Sequence, residues 1–170
     1  EGVTCHNCEP FAAEAVVWTY ERIYTASPDQ FITFNQWTFI QEINVLGPYE
    51  VEFVTAEPDP AFLSRISGTG CGIQAPVAGQ EMAESGNYTP VGTGPYQFVS
   101  YALDDVLEMR ANPDYFRGAP EIETLLWRSI PEASTRVASL LTGAADLIAA
   151  VPVQDWERIN ANGDTMTIEY

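Results

Sequence analysis

The chain has 170 residues, and its hydrophobic content of 46%, with 12% aromatic residues, predicts a folded globular protein with a core of ordinary size. Its seven basic residues are all arginine and are outnumbered by 24 acidic ones, which gives a formal charge of −17. This charge argues against nucleic-acid binding and against docking to an anionic membrane, and no apolar run of about 18 residues is present to span a bilayer.

Two helices are predicted near the start of the chain. Apolar residues recur near helical spacing over residues 11–24, Pro10 fits the first turn of this helix, and Glu9 suits its positive end. The stretch Ser27-Pro28-Asp29 repeats the start signal, with serine as the cap and proline just inside. It predicts a shorter, aromatic-rich second piece.

A hairpin and a short helix are predicted next. Two strand-like runs, residues 40–45 and 49–55, flank a Gly47-Pro48 turn. A short helix is expected over residues 61–66, ended by the glycine cluster of residues 68–72. These glycines lack the dinucleotide-binding fingerprint, and Pro76 is expected to disrupt the helix that such a fingerprint needs.

The stretch Thr89-Pro90-Val91-Gly92-Thr93-Gly94-Pro95-Tyr96, called the bend below, is the segment around which the chain is predicted to be organised. Its prolines fix φ near −65°, and Gly92 and Gly94 are expected to adopt positive φ. The alternating residues after it predict two strands around an Asp104-Asp105 turn. A phosphate loop is excluded, because no Gly-Lys-Ser/Thr follows and strands rather than a helix come next.

The last third of the chain predicts alternating helices and strands. Pro131 is expected to open the clearest helix, which Gly143 ends. A short strand over residues 146–150, a helix over 153–160 and a final strand over 166–170 complete the pattern. The predicted class is therefore α/β, a mixed sheet with flanking helices. Both ends look cut, so the chain is expected to be a fragment of a longer protein.

Read in order, these pieces resemble the family 5 extracytoplasmic solute-binding proteins, which are the peptide, dipeptide and nickel receptors of ABC importers. The resemblance covers almost the whole length. It is carried by several stretches in the family's order: Glu9 to Val17, Tyr49 to Phe53, Glu57 to Leu63, Pro90 to Tyr96, Asn112 to Gly118, Ile130 to Val137 and Leu141 to Ile148. Its most diagnostic stretch is Pro90 to Tyr96, which contains the structural motif Gly92, Thr93, Gly94, Pro95 and Tyr96.

The resemblance implies part of one lobe of a two-lobed periplasmic-binding-protein-like II fold. Residues 1–89 would form an accessory subdomain of the first lobe, residues 90–150 part of the main first lobe, and residues 151–170 the crossover toward a second lobe. It implies a binding protein without catalysis or cofactor, located in the periplasm or outside the cell, with lipid anchoring left open. Its partners would be a small solute, by default a peptide, and an ABC permease, and the full-length protein would be a monomer.

The motif Cys5-His6-Asn7-Cys8 is the sharpest local chemistry, and it leaves three alternatives open. A local Cys5–Cys8 disulfide is the plainest account for an exported protein. Inert thiols are the second account. The third is a thiol redox or metal-handling module, because a C-x-x-C motif before a helix N-terminus lowers a thiolate pKa, with His6 and Cys71 as further ligands.

One wall of a solute cleft is predicted from aromatic and glycine positions, because a cleft needs flat apolar surface and converging backbone donors. The alternative is that the rings belong to the core. The candidate residues are Phe31, Phe34, Trp37, Gly70, Cys71, Gly72, Ile73 and Gln74. The acidic pairs Asp104-Asp105 and Glu57-Pro58-Asp59 are not read as catalytic, since neighbouring acids in a turn stay solvated.

Overall fold

The computed structural model describes residues 2–24, 37–68 and 72–163. Its helices are α1 (Ala13–Tyr24), α2 (Phe62–Ile66), α3 (Pro76–Ser85), α4 (Ala133–Leu141) and α5 (Trp156–Asn160), with a 3₁₀ turn at Val153–Asp155. Its strands are β1 (Ile40–Gly47), β2 (Glu50–Thr55), β3 (Tyr96–Tyr101), β4 (Val106–Ala111) and β5 (Thr124–Arg128). The α/β prediction is confirmed, although the strands form two sheets, one of β1 and β2 and one ordered β3-β4-β5.

The chain divides into two compact units, Glu1–Tyr101 with Glu108–Leu126 and Ala102–Leu107 with Trp127–Tyr170. The predicted Ser27 helix, the rings of Phe31 and Phe34, and the final strand over residues 166–170 lie outside the described residues. Across the described ranges, the helices are too short or too polar to cross a membrane.

The core of the first unit lies between α1 and the β1–β2 hairpin. Tyr20 and Ile23 of α1 are buried with Trp37, Ile40 and Ile43. The two isoleucines are three positions apart on one strand, where strict alternation would place them on opposite faces. A register shift between Ile40 and Glu42 accounts for this spacing, because the irregularity breaks the alternation and lets both side chains enter one core.

Helix α3 is the main element that the sequence analysis missed. Pro76 was expected to disrupt a helix, but it occupies the first turn of α3, where its missing N–H group has no helical partner to lose. Gly86 ends the helix in the left-handed conformation, with φ of 71°. Helix α3 packs on α1 at Gly79, where a Cβ atom would overlap the indole of Trp18.

The start of α1 also differs from the prediction. The helix begins at Ala13, so Pro10 is not in its first turn and instead pairs with Thr4 in an isolated antiparallel bridge. The backbone N–H of Phe11 donates to the carbonyl of Val3 at 2.9 Å, which closes the N-terminal loop. The predicted hairpin and the short helix α2 are confirmed to within two residues.

In the second unit, the strand predicted over residues 146–150 is absent, and Arg136 binds carbonyl groups of this segment. The guanidinium of Arg136 donates to four backbone carbonyls, and this arrangement is called the Arg136 clamp below. The distances are 2.8 Å to Ile130, 2.8 Å to Pro131, 3.3 Å to Ala149 and 3.2 Å to Ala150. Residues 146–150 therefore form no strand: two of their carbonyls turn toward Arg136, and Ala150 has a φ of 54°.

Helix α4 begins one residue after its cap. Glu132 is the N-cap, and its carboxylate accepts from the backbone N–H of Ser134 at 3.4 Å and from the hydroxyl of the same residue at 3.2 Å. Pro131 therefore precedes the helix and does not open it. Val137 of α4 and Ile159 of α5 are fully buried, so each helix contributes one anchored apolar side chain to the second unit.

Candidate functional site

The bend is held in place by its own carbonyl groups, which accept hydrogen bonds from three distant segments. The backbone N–H of Ala75 donates to the carbonyl of Val91 at 2.9 Å, and that of His6 donates to Gly92 at 2.9 Å. The backbone N–H of Asn112 donates to the carbonyl of Pro95 at 2.8 Å. The segment before α3, the cysteine motif and the end of β4 thus meet at the bend.

The carbonyl of Gly94 accepts two side-chain hydrogen bonds at the centre of this arrangement. His6 contacts it through Nε2 at 3.0 Å, and Asn112 donates from Nδ2 at 3.3 Å. Asn112 is only 6% exposed, and its Oδ1 accepts from Gln97 at 3.3 Å and from the backbone N–H of Asp114 at 3.1 Å. Because both ends of its amide are used, Asn112 ties the bend to the turn that follows β4.

Of the two glycines of the bend, only Gly92 is required by its surroundings, and for a reason other than the one predicted. Neither Gly92 nor Gly94 is among the residues with positive φ, so that expectation was wrong. A Cβ atom on Gly92 would lie 3.3 Å from the carbonyl oxygen of Ile73, whereas one on Gly94 would lie 3.9 Å from that of Tyr96. Gly92 therefore permits a close approach of two backbone segments, and Gly94 leaves room for a methyl group.

The remaining residues of the motif lie at the surface of the bend. Thr93 and Tyr96 are half-buried and Pro95 is exposed. Tyr96 is the first residue of β3, so the bend leads directly into the three-stranded sheet. The motif contributes a connection between segments, and its side chains form no catalytic arrangement in the part of the chain that the structure describes.

Glu9 joins the cysteine motif to α3. Its carboxylate accepts from the backbone N–H groups of Val77 at 3.1 Å and Ala78 at 3.2 Å, and from the side-chain amide of Asn7. Burial alone raises the pKa of Glu9, but the three hydrogen bonds outweigh it and the pKa lies below its ordinary value. Glu9 was expected at the positive end of α1, and it serves the positive end of α3 instead.

The cysteine motif forms a tight loop in which the two thiols have different surroundings. The backbone N–H of Cys5 donates to Glu9 at 2.7 Å, that of Cys8 donates to Cys5 at 2.9 Å, and Cys8 has a φ of 69°. Both cysteines are free thiols, with Cys5 buried and Cys8 exposed. Burial, and next the charge of Glu9, raise the pKa of the Cys5 thiol. The predicted Cys5–Cys8 disulfide is not formed in this structure and stays a prediction for experiment.

A raised thiol pKa disfavours redox chemistry, because the thiolate is the reactive form. The structure also lacks a metal-binding arrangement: within the described ranges, no three His, Cys, Asp or Glu side chains are grouped to hold a metal ion. His6, which was considered as a ligand of such a centre, uses Nε2 to contact the carbonyl of Gly94.

Trp37, a predicted solute contact, lies in the core. It is 3% exposed, and its ring centroid is 5.2 Å from that of Tyr20 and 6.1 Å from that of Phe39. The ring of Trp37 therefore presents no surface to a solute in this structure. This position agrees with the alternative that the aromatic rings belong to the core. Phe31, Phe34, Gly70 and Cys71 lie outside the described residues.

The remaining solute candidates, Gly72, Ile73 and Gln74, have different surroundings. The backbone N–H of Gln74 donates to the hydroxyl of Thr19 at 3.1 Å, and its side-chain oxygen accepts from Arg22 at 3.2 Å. Ile73 packs against the core, whereas a Cβ on Gly72 would meet no atom within 4 Å. Gly72 is thus the open position of this stretch, and Ile73 and Gln74 are committed to packing.

Three residues that organise the structure were not recognised in the sequence, namely Asn112, the cap function of Glu9, and Arg136. Asn112 precedes Pro113-Asp114, a turn signal that sequence reasoning could have used. The capped N–H groups of α3 are 68 and 69 positions from Glu9, and the carbonyls that Arg136 contacts are 5 to 14 positions from it. Because these partners are backbone groups, the sequence carries no signal for them.

Comparison with known proteins agrees with this architecture. The glutathione-binding protein GsiB of Salmonella paratyphi A is 26% identical over 156 residues, which are 91% of this chain and 30% of that protein. The oligopeptide-binding protein AppA of Bacillus subtilis is 26% identical over 163 residues, 92% of this chain and 30% of that protein. The chain thus spans about 30% of the length of these relatives.

The structure of a nickel ABC transporter from Bacillus halodurans has the same fold. It superimposes with a TM-score of 0.79 at 27% identity, over 95% of this chain and 32% of that one. A model of the family described as bacterial extracellular solute-binding proteins, family 5 Middle, matches residues 1–169. Since that match covers nearly the entire sequence, the chain belongs to the bacterial extracellular solute-binding proteins of family 5.

Proposed function

We propose that this chain is part of the substrate-binding component of an ABC importer, a receptor that binds a peptide-like solute outside the cytoplasm and delivers it to a membrane permease. The observation that carries the proposal is the family match over residues 1–169. The names of two relatives support a peptide-like solute, since one binds glutathione, itself a small peptide, and the other binds oligopeptides.

The domain assignment belongs to the same proposal. Residues 1–89 would be an accessory subdomain of the first lobe, residues 90–150 part of the main lobe, and residues 151–170 the crossover. The solute-facing surface would include Gly72, the open position in the stretch before α3. A peptide suits such a surface because exposed backbone groups can pair with the backbone of an extended ligand.

The competing function, thiol redox or metal handling, has no supporting observation. The raised pKa of Cys5 reduces its thiolate fraction, and the described residues hold no metal-binding group of side chains. A receptor is also expected to release its ligand unchanged, so the two functions differ in their products.

The test uses the full-length protein and four probes: reduced glutathione, a dipeptide, a nonapeptide and Ni²⁺. A ligand that binds the folded state stabilises it by about 2.7 kcal/mol at a hundredfold excess over Kd, which thermal unfolding detects. We expect stabilisation by one of the three peptide probes and recovery of the intact probe by mass spectrometry. Chemical conversion of the bound probe would overturn the receptor proposal, and stabilisation by Ni²⁺ alone would overturn the peptide assignment.

The control is the variant C5S/C8S. It is expected to bind the same probe as the wild type, because neither thiol lies in the proposed solute surface. Loss of binding in this variant, with an unchanged unfolding temperature, would favour the redox or metal function instead.

A further inference from the structure

The loop between α3 and the bend contains an acceptor motif for N-linked glycosylation. Asn87-Tyr88-Thr89 is the one Asn-X-Ser/Thr tripeptide, with X other than proline, in the 170 residues. It starts directly after Gly86, which ends α3 in the left-handed conformation. We infer that Asn87 carries an N-linked glycan in the mature protein.

The motif is exposed, as a modification site must be. Asn87, Tyr88 and Thr89 all lie on the surface, and Tyr88 is 60% exposed. They lie in a segment without helix or strand, so no element has to unfold to admit an enzyme. A bulky glycan at this position would extend into solvent and displace no packed side chain.

The acceptor nitrogen is available. Asn112 donates its side-chain amide to Gly94, Asn44 donates to Glu52, and Asn7 donates to Glu9. The side-chain amide of Asn87 forms no hydrogen bond with any described residue. Its backbone is fixed instead, because its N–H donates to the hydroxyl of Ser85 at 3.2 Å.

The other two residues of the motif have defined positions. The hydroxyl of Thr89 lies 3.5 Å from the carbonyl oxygen of Asn87, so the hydroxyl that the motif requires stays near the acceptor residue. The ring of Tyr88 packs edge-on against Phe98 and Tyr101 of β3, with centroid distances of 5.7 and 6.0 Å. The middle residue thus anchors the loop while its two neighbours remain exposed.

The reaction is a glycosyl transfer from a lipid-linked oligosaccharide phosphate, the donor class that an oligosaccharyltransferase uses. A bond forms between Nδ2 of Asn87 and the anomeric carbon of the first sugar, and the bond from that carbon to the phosphate oxygen breaks. The lipid phosphate leaves with the bonding electrons, and Nδ2 loses one proton. This inference rests on the proposed function in one respect, because the transfer requires a protein located outside the cytoplasm.

The experiment compares the full-length wild type with Thr89→Ser, Thr89→Ala and Asn87→Gln, each recovered from outside the cytoplasm of cells of the native source. Intact mass and peptide mass spectrometry locate any added sugar. We expect a sugar mass on Asn87 in the wild type and in Thr89→Ser, which keeps the hydroxyl. We expect none in Thr89→Ala or Asn87→Gln.

The Thr89→Ser and Thr89→Ala pair separates modification from folding. Both substitutions affect one exposed side chain, so their unfolding temperatures without glycan are expected to agree within about 2 °C. A wild-type protein with unmodified Asn87 would overturn the inference, as would a glycan that persists in Thr89→Ala.

The outcomes distinguish this inference from the proposed function. Solute binding by a protein with unmodified Asn87 overturns the glycan alone and leaves the receptor intact. If Asn87 carries a glycan but the protein binds none of the four probes, the glycosylation inference holds and the peptide-receptor proposal is overturned. A protein found only in the cytoplasm and lacking the sugar overturns both.

Discussion

The bend and the Arg136 clamp each use four backbone carbonyls, but they distribute the donors in opposite ways. At the bend, the donors come from Ala75, from the backbone and ring of His6, and from the backbone and amide of Asn112. At the clamp, all four hydrogen bonds come from a single guanidinium. The bend should therefore tolerate the loss of one donor, whereas the clamp should fail as a unit.

The two regions also differ in how far apart their partners lie in the sequence. His6 and Gly94 are separated by 88 residues, and Asn112 and Gly94 by 18. The partners of Arg136 are 5 to 14 residues away. Local contacts cost less loop-closure entropy and form sooner, so the clamp is expected to assemble before the bend during folding.

The substitution Arg136→Met should have the largest effect on stability. It removes four hydrogen bonds from a charged donor while keeping much of the side-chain volume. Since the site is half-buried and water can reach it, we expect the free energy of unfolding to fall by about 3 kcal/mol, measured by urea denaturation. The free energy of unfolding of Arg136→Lys should lie between those of the wild type and Arg136→Met, because lysine keeps the charge but lacks the planar guanidinium.

Arg128→Met is the matched control for the clamp. Arg128 is exposed in β5, and its side chain forms no hydrogen bond among the residues that the structure describes. Its substitution should change the free energy of unfolding by less than about 0.5 kcal/mol. If Arg136→Met and Arg128→Met were equally stable, the four hydrogen bonds of the clamp would contribute no net stability.

Two glycine substitutions test why the bend contains glycine at positions 92 and 94. Gly92→Ala places a methyl group 3.3 Å from a backbone carbonyl that cannot move without shifting the segment before α3. We expect a loss of about 1 to 2 kcal/mol, smaller than at the clamp because the donors to Val91, Gly94 and Pro95 remain. Gly94→Ala should cost less than about 0.5 kcal/mol, since its methyl group has an ordinary 3.9 Å contact.

Equal losses for the two glycine variants would contradict this account. They would indicate that the close contact between Gly92 and Ile73 does not determine the requirement for glycine at the bend. The measurement is again urea denaturation, with the slope of the transition checked for change, because a changed slope would report an altered denatured state.

Glu9→Gln tests the link between the cysteine motif and α3 through pH. The pKa of Glu9 is lower in the folded state than in the unfolded one, so its stabilisation is fully present above the unfolded pKa, about 4.3. It is lost as pH falls through the lower, folded pKa. We expect Glu9→Gln to lower the free energy of unfolding by about 1 kcal/mol at neutral pH and to flatten its fall below about pH 4.

Glu81→Gln is the control for the same charge change in α3. The side chain of Glu81 is exposed and forms no side-chain hydrogen bond within the described part of the chain. Glu81→Gln should leave the free energy of unfolding at neutral pH, and its fall in acid (the acid slope), close to the wild-type values. An acid slope equally steep in Glu9→Gln and wild type would show that the carboxylate of Glu9 does not stabilise α3.

The elements that the sequence predicted well are those specified by local patterns. The hairpin of β1 and β2 follows from alternation around Gly47-Pro48, and β3 and β4 follow from alternation around Asp104, whose φ is 58°. Helix α3 was missed because proline was treated as a breaker. At the first turn of a helix it is favourable, and the deciding feature is the cap that Glu9 provides from 68 residues away.

The candidate site was only partly predictable, because burial depends on partners that the sequence does not reveal. The bend was recognised as an organising segment, but its glycine requirement comes from the carbonyl of Ile73, a tertiary contact. Trp37 could have been wall or core, and only its neighbours Tyr20 and Phe39 decide for the core. A strand was predicted over residues 146–150 from an apolar run, which the hydrogen bonds from Arg136 override.

The smallest effect is expected at the cysteine motif, where we predict a difference in alkylation rate between the two thiols and no change in stability. With iodoacetamide at neutral pH, the exposed Cys8 should be alkylated quickly, and the buried Cys5, whose pKa is raised, should react only on unfolding. Peptide mass spectrometry over time measures both thiols, with C8S as the control in which the fast alkylation of the peptide that contains residues 5 and 8 disappears. Equally rapid labelling of Cys5 would point to an activated thiolate and support the redox function.

If neither thiol reacts until a reductant is added, and the native mass is two hydrogens lower, Cys5 and Cys8 form the disulfide that the sequence suggests.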